Sequence, residues 1–213
     1  GKGAFVEVQQ YLGSFSRYQT SAKADWGSEN FRSQTQVYGF TAENDFSFPD
    51  ITQQDFPQNR MRNNSYRQQG VIQNLYYRLS PNQLISLKGW YNNVERKLPP
   101  PITGNPQQFD RLHDRNLSVI AELQQTGDSS SLLLNTGIVR SDNIFTSGGD
   151  STSNNNRFLS WQNNLRHKWQ LTEKLSTENG LHYRLETARS AAYNGLAQRH
   201  QASIFSQWNY DFN

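Results

Sequence analysis

The residues best suited to acid–base chemistry lie at the start of one predicted strand, where His113 and Asp114 are adjacent and Asp110 is near. A histidine beside carboxylates could form a general base with an orienting partner, as a hydrolase requires. Neighbouring residues of a strand point to opposite faces, so His113 and Asp114 should not converge. We therefore expect no catalytic residues and a protein that is not an enzyme.

Metal binding has equally weak support in the sequence. Several carboxylates lie in or beside predicted loops and could bridge them through calcium, but they lack EF-hand spacing: Asp50, Asp55, Asp110, Asp142 and Asp150. The chain has 4 His and no Cys, and no two histidines show a metal-ligand spacing. The expected role of these carboxylates is loop solubility, with no metal and no cofactor.

Phenylalanines in or beside the longest predicted loops are the candidate substrate-binding residues: Phe46, Phe48, Phe56 and Phe109. Aromatic rings supply large apolar contact area to a bulky ligand. The alternative is that they pack the loops against the rest of the protein.

Composition narrows the class of protein. The chain has 213 residues with 18% charged residues and a mean hydropathy of −0.88, and Asn and Gln make up about a fifth of it. No apolar run is long enough for a transmembrane helix. The content of Trp 5, Tyr 10 and Phe 12 argues against disorder. The net charge of +3 is scattered, so we expect no nucleic-acid partner.

Alternation of apolar and polar residues, which is typical of strands with two unlike faces, dominates the chain. It predicts ten strands at about 4–12, 15–26, 31–45, 65–79, 84–97, 113–126, 131–145, 157–171, 175–190 and 198–212. These strands have the length of membrane-spanning strands, which need about 9–11 residues, whereas globular strands average about 5–6.

The predicted links alternate between tight turns and longer segments, as in outer-membrane barrels. The longer segments are 47–64, 98–112, 146–156 and 191–197, and the short hairpin at Gly13-Ser14 is the exception. Strands that run toward the tight turns end in aromatic residues, as expected at a membrane interface: Trp26, Tyr76, Tyr77, Trp169, Trp208 and Tyr210. Core aromatics of a soluble sandwich are the alternative.

The alternation also predicts which residues share a face. We expect the lipid-facing side to carry Tyr18, Ala22, Trp26, Leu75, Tyr77, Ile85, Leu87, Leu117, Val119, Leu165, Trp169, Leu181, Tyr183, Ile204 and Trp208. The opposite, lumenal side should carry Lys23, Lys88, Glu122, Arg166 and Arg184. Periodicity alone also permits the reverse, with the apolar face turned inward and the charges in water.

A series of segments resembles the front part of the barrel of TonB-dependent outer-membrane receptors, in particular Bacteroidetes-type vitamin B12 or iron-siderophore receptors. The order and spacing of the segments carry the resemblance: Gly13–Thr20, the strand 31–40, Glu43–Phe48, Tyr66–Gly70, Gln73–Arg78, Leu87–Tyr91 and Glu95-Arg96. It covers about residues 1–98 and continues more weakly to the end.

This resemblance implies a function in transport. Receptors of the family consist of a plug and a 22-stranded barrel, capture a substrate on extracellular loops and move it with energy from TonB. The implied partners are outer-membrane lipid, a small-molecule metal chelate and, for the full-length receptor, the TonB complex. The sequence shows neither plug nor TonB box, so we expect residues 1–213 to form a single β-barrel domain from a larger barrel.

The expected fold is therefore all-β, an antiparallel up-and-down meander of about ten long strands of the outer-membrane barrel type, closed or nearly closed. The expected location is the cell outer membrane. Two other functions fit the same pattern: a complete ten-stranded barrel that acts as an enzyme or pore, and a soluble β-rich binding module.

Overall fold

A computed structural model describes residues 3–100, 109–148, 153–191 and 195–212. Strands β1 to β7 are Gly3–Gly13, Arg17–Gly27, Phe31–Ala42, Ser47–Pro49, Gln58–Arg60, Tyr66–Ser80 and Gln83–Leu98. Strands β8 to β12 are Asp110–Thr126, Ser130–Thr146, Ser153–Gln170, Leu175–Arg189 and Leu196–Tyr210. None of the described residues forms a helix that is long and apolar enough to cross a bilayer.

Ten long strands form one antiparallel up-and-down sheet in the order β1-β2-β3-β6-β7-β8-β9-β10-β11-β12. The prediction of ten long strands in a meander is thus confirmed. Within the described residues, β1 pairs only with β2 and β12 only with β11.

The structure differs from the sequence prediction mainly at the ends of strands. The predicted loop 47–64 contains a small hairpin of β4 and β5. Strands β8 and β10 begin at Asp110 and Ser153, each at least three residues earlier than predicted, because polar residues there continue the ladder with β9. Where a strand end is polar on both faces, apolar and polar residues do not alternate, so the sequence pattern does not show that the strand continues.

All the residues predicted to share a face do so. The register runs from Trp26 through Ser33 to Leu75, then to Leu87 and Ala121, and residues directly opposite each other in a ladder share a face. Continued across the sheet, it places every predicted lipid-facing residue on one side, here called the apolar face. The other side, called the polar face, holds Lys23, Lys88, Glu122, Arg166 and Arg184.

One row of the apolar face is apolar on every strand that it crosses. Directly paired residues in it are Phe31, Tyr77, Ile85, Leu123, Leu134, Leu165, Leu181 and Ile204. Most of these side chains are open to solvent, with Ile204 82% and Leu181 45% exposed. The smallest exposures belong instead to side chains such as Ser160 at 1% and Ser86 at 2%, both on the polar face. The apolar face is therefore not covered by any other part of the chain that the structure describes.

The apolar band crosses the rows diagonally. On β2 it extends to Ala22 and Tyr18, whereas on β9 the residue in the same row as Ala22 is Arg140. A band of constant height that crosses tilted, staggered strands shifts along the rows in this way. The diagonal fits a barrel-type sheet.

Candidate substrate-contact surface

The phenylalanines predicted to contact a substrate lie at the end of the sheet that carries the longer links, here called the long-loop end. Phe48 lies in β4, and Phe109 immediately precedes β8 with 45% of its surface exposed. Phe56 lies between β4 and β5, is 58% exposed and has a φ of 43°. The ring of Phe46 packs edge-on against Phe15, with 5.9 Å between centroids. In the described part of the chain, no ring contact joins two of the four predicted residues.

Phe15 is a residue of this surface that the sequence analysis missed. It lies in the three-residue turn between β1 and β2, at a φ of 59°, and is 51% exposed. Its carbonyl accepts the backbone N–H of Glu43 at 3.1 Å, which ties the turn to the segment before β4. A bulky residue in the left-handed region is uncommon and is found where surrounding contacts hold it in place. The turn is short, whereas the sequence pattern placed substrate contacts in the longer loops.

Asp50 organises the β4–β5 hairpin. Its carboxylate accepts hydrogen bonds from the backbone and hydroxyl of Thr52, from the Gln53 amide at 2.7 Å and from the Asn59 amide at 3.0 Å. Asp50 is 6% exposed although the loop around it is open. The bonds from Thr52, followed by those from Gln53 and Asn59, hold the pKa of this carboxyl below its ordinary value.

Replacing Asp50 should loosen the hairpin. Because its pKa is lower in the folded state than in the unfolded state, its contribution is present above about pH 4 and is lost as the pH falls through the folded-state pKa. Asp50→Asn should speed amide exchange over residues 50–59 about tenfold at neutral pH, since hydrogen bonds to a charged group are stronger than hydrogen bonds to a neutral one. Wild-type protein should show the same loosening in acid. The exposed Asp55→Asn is the control, and equal exchange in both variants would contradict this role.

Two of the other carboxylates predicted to lie in or beside loops, Asp110 and Asp142, belong to strands β8 and β9 and have protein partners. Asp142 accepts hydrogen bonds from Arg140 and Arg157, and Asp110 accepts the backbone N–H of Gly148 at 3.1 Å. No group of three or more metal-ligating side chains is found among the described residues. Asp150 lies outside them.

His113 and Asp114 diverge, as the strand geometry predicts. His113 is paired with Glu95 and lies on the apolar face, whereas Asp114 is paired with Val94 and lies on the polar face, where it accepts a bond from Asn143. The histidine ring nitrogen lies 2.6 Å from the Asn93 amide oxygen. The two side chains therefore cannot act on one substrate atom.

Aromatic and amide side chains form a network on the polar face toward the long-loop end. Phe40 and Tyr66 pack edge-to-face at 5.3 Å, and a guanidinium lies over each ring, Arg17 at 5.2 Å and Arg96 at 5.5 Å. Such an array can stack against flat groups and hydrogen-bond to anionic ones.

The network continues through hydrogen bonds toward the middle of the sheet. The Tyr66 hydroxyl donates to Gln68 at 2.7 Å, and the Gln68 amide donates to Asn92 at 3.0 Å. Asn92, only 7% exposed, also accepts the Tyr38 hydroxyl at 3.1 Å, and the Trp90 indole donates to Tyr38 at 3.2 Å. Sequence reading missed this network, because Tyr38 and Phe40 alternate with Val37 and so blur the two faces of β3.

Several charges on the polar face form ion pairs. Lys88 lies 3.7 Å from Glu122, and Glu178 lies 3.1 Å from Arg166 and 3.3 Å from Lys168. Glu186 pairs with Arg184 and Arg199. Among the described residues, the polar face presents solvated ion pairs and amides, and no nucleophile lies beside a base there.

These features define an all-β, up-and-down antiparallel sheet of the outer-membrane barrel type, with one apolar and one polar face. No family profile and no curated protein sequence matches the chain.

Solved structures share the fold at low sequence identity. The siderophore receptor PiuA from Acinetobacter baumannii matches with a TM-score of 0.63 at 12% identity, over 98% of this chain and 39% of that chain. BauA, the ferric preacinetobactin receptor of the same organism, matches with a TM-score of 0.63 at 11% identity, over 95% of this chain and 40% of that chain. The copper transporter OprC matches with a TM-score of 0.53 at 9% identity, over 100% of this chain and 45% of that chain. The chain spans less than half the length of each of these structures.

Proposed function

We propose that the chain is part of an outer-membrane receptor barrel that imports a scarce nutrient and depends on the TonB system. The observation that carries the proposal is the unbroken apolar row from Phe31 to Ile204, exposed on a sheet whose opposite face holds charges and amides. A membrane barrel requires this arrangement, since its outer surface meets hydrocarbon and its lumen is wet.

The proposed substrate is a small-molecule metal chelate of the ferric-siderophore or cobalamin class. The solved structures that share the fold include two siderophore receptors and a copper transporter. The exposed rings at the long-loop end and the guanidinium-capped rings of the polar face suit a bulky, partly anionic ligand. The sequence resemblance adds cobalamin to this class.

We further propose that residues 1–213 form one β domain within a larger barrel. Two observations support it: the chain covers 39–45% of the matched structures, and β1 and β12 each have a single neighbour in the described residues. Membership of a larger barrel would give both edges partners and remove their exposed hydrogen-bonding groups.

Fractionation tests the location, and ligand titration tests the substrate. The protein should stay with the outer membrane through high-salt and alkaline washes and leave it only with detergent. Purified protein should show tryptophan quenching by a ferric siderophore or by cobalamin. Release without detergent would favour a soluble module. Ion conductance without chelate binding would favour a pore.

The rim phenylalanines should contribute measurably to chelate binding. We expect Phe56→Ala with Phe109→Ala to weaken the dissociation constant at least fivefold, because each removes an exposed ring where aromatic anchors commonly contribute more than about 1 kcal/mol. Phe212→Ala, which removes an 89% exposed ring at the opposite end of the sheet, is the matched control. Equal affinity in all three proteins would leave these rings with a packing role only.

A further inference from the structure

Just beyond the apolar band, toward the long-loop end, the apolar face carries a row of arginines. The ladder places Arg115 opposite Asp142, Asp142 opposite Arg157, and Arg157 opposite Arg189. Adjacent strands lie about 4.8 Å apart, so these side chains span roughly 15 Å across four strands. Arg140 lies two residues before Asp142 on β9 and therefore on the same face. We call these four arginines and Asp142 the arginine row.

Asp142 positions two of the arginines. Its carboxylate oxygens separately accept the Nε–H of Arg140 at 2.9 Å and of Arg157 at 2.7 Å. Asp142 is only 9% exposed, whereas the side chains of Arg140 and Arg157 are 48% and 51% exposed. Because both contacts use Nε, the terminal nitrogens of each guanidinium stay available to another acceptor.

Arg115 and Arg189 add positive charge that no carboxylate of the described residues neutralises. Both are exposed, and no carboxylate lies within ion-pair distance of either in the described part of the chain. The Nε of Arg115 lies 3.3 Å from the ring nitrogen of His113. With one carboxylate among four arginines, the row has a net charge of three positive units.

The row lies next to the surface proposed to meet lipid. On β8, Leu117 and Val119 follow Arg115 on the same face, and on β10, Leu159 and Trp161 follow Arg157. A side chain directly above the hydrocarbon belt lies at the level of the lipid headgroups. Arginine forks match phosphate oxygens in geometry and charge.

We propose that the arginine row binds the phosphate groups of an anionic lipid in the leaflet at the long-loop end. This inference rests on the proposed membrane location of the apolar face. The ligand is a phosphorylated headgroup whose acyl chains lie along Leu117, Leu159 and Trp161. Bound lipid would hold β8 to β11 at a fixed depth, beside the loops proposed to contact the substrate.

The test uses Arg115→Gln with Arg189→Gln, since this pair leaves both partners of Asp142 in place. The control, Lys23→Gln with Arg78→Gln, removes the same charge from the polar face. Each protein is first inserted into vesicles of neutral phosphatidylcholine, and its insertion and melting temperature are recorded. Fluorescent diphosphoryl lipid A is then titrated, with energy transfer from the tryptophans as the signal.

Wild type and control should bind diphosphoryl lipid A equally and the dephosphorylated form more weakly. Binding by the Arg115/Arg189 variant should be about 10- to 30-fold weaker, because each surface arginine contributes about fivefold to binding an anionic lipid. Equal binding by all three inserted proteins would overturn the inference alone. So would full displacement by millimolar inorganic phosphate, which would identify a simple ion site. Failure of wild type to insert would overturn the inference together with the membrane location.

Discussion

An arginine at Val119 should lower the free energy of unfolding in lipid bilayers by about 2–4 kcal/mol. Val119 lies on the apolar face, in the middle of β8, between Gly89 and Ile138 in the ladder. At that depth the guanidinium would be held in hydrocarbon, too far from either interface to reach water along the strand. The measurement is denaturant unfolding of the protein in liposomes.

Ile120→Arg is the matched control, one residue along the same strand. Ile120 lies on the polar face beside Lys88 and Glu122, where it lines a cavity of about 260 Å³ with Gln162 and Asn164. An arginine there can reach water and the Glu122 carboxylate, so we expect a much smaller loss. Equal losses, or a larger loss at Ile120, would mean that the apolar face is turned inward.

Gly70→Ala should cost about 1–3 kcal/mol, the range for overpacking a filled site. A Cβ at Gly70 would lie 2.4 Å from the Tyr38 ring and 2.6 Å from the backbone oxygen of Tyr91. The ring could move, but the backbone oxygen belongs to β7 and is fixed by the ladder. A glycine in a strand commonly marks such a close approach.

Gly39→Ala is the control for Gly70, because nothing lies within 4 Å of a Cβ at Gly39 on the neighbouring strand. That change should be neutral or stabilising by up to about 1 kcal/mol, since alanine loses less backbone entropy on folding. Both variants are compared by urea unfolding in the same lipid. A neutral Gly70→Ala would show that Tyr38 does not pack on this glycine.

The sequence predicted the strands and their faces well, because successive side chains of a strand point to opposite faces and here the two faces differ in polarity. Leu117 and Val119 alternate with Ser118 and Glu122 along one strand, and the ladder keeps them on opposite sides. The alternation within one strand does not predict which residues of the next strand lie opposite. The unbroken apolar row and its diagonal shift are therefore visible only in the pairing between strands that the structure shows. The family resemblance was consistent with the fold, and the structures that share this fold do not distinguish a cobalamin from a siderophore substrate.

The candidate site was less accessible to sequence reasoning. Nearness to long loops predicts substrate contact for Phe46, Phe48, Phe56 and Phe109. The ring contact that forms, however, is between Phe46 and Phe15, which lies in a short turn. Side chains distant in sequence meet in the polar-face network, as Tyr38 and Asn92 do. Contacts of this kind depend on the strand order, which a reading of separate segments does not supply.

The central claim is that the apolar face meets lipid, and the tryptophans test it most directly. Trp161 on the apolar face and Trp90 on the polar face are almost equally exposed, at 42% and 41%. Variants that retain only one of them are placed in vesicles with brominated acyl chains and then titrated with aqueous iodide. Bromine should quench Trp161 strongly and Trp90 weakly, and iodide should show the opposite order. Strong bromine quenching of Trp90 with iodide access to Trp161 would contradict the account.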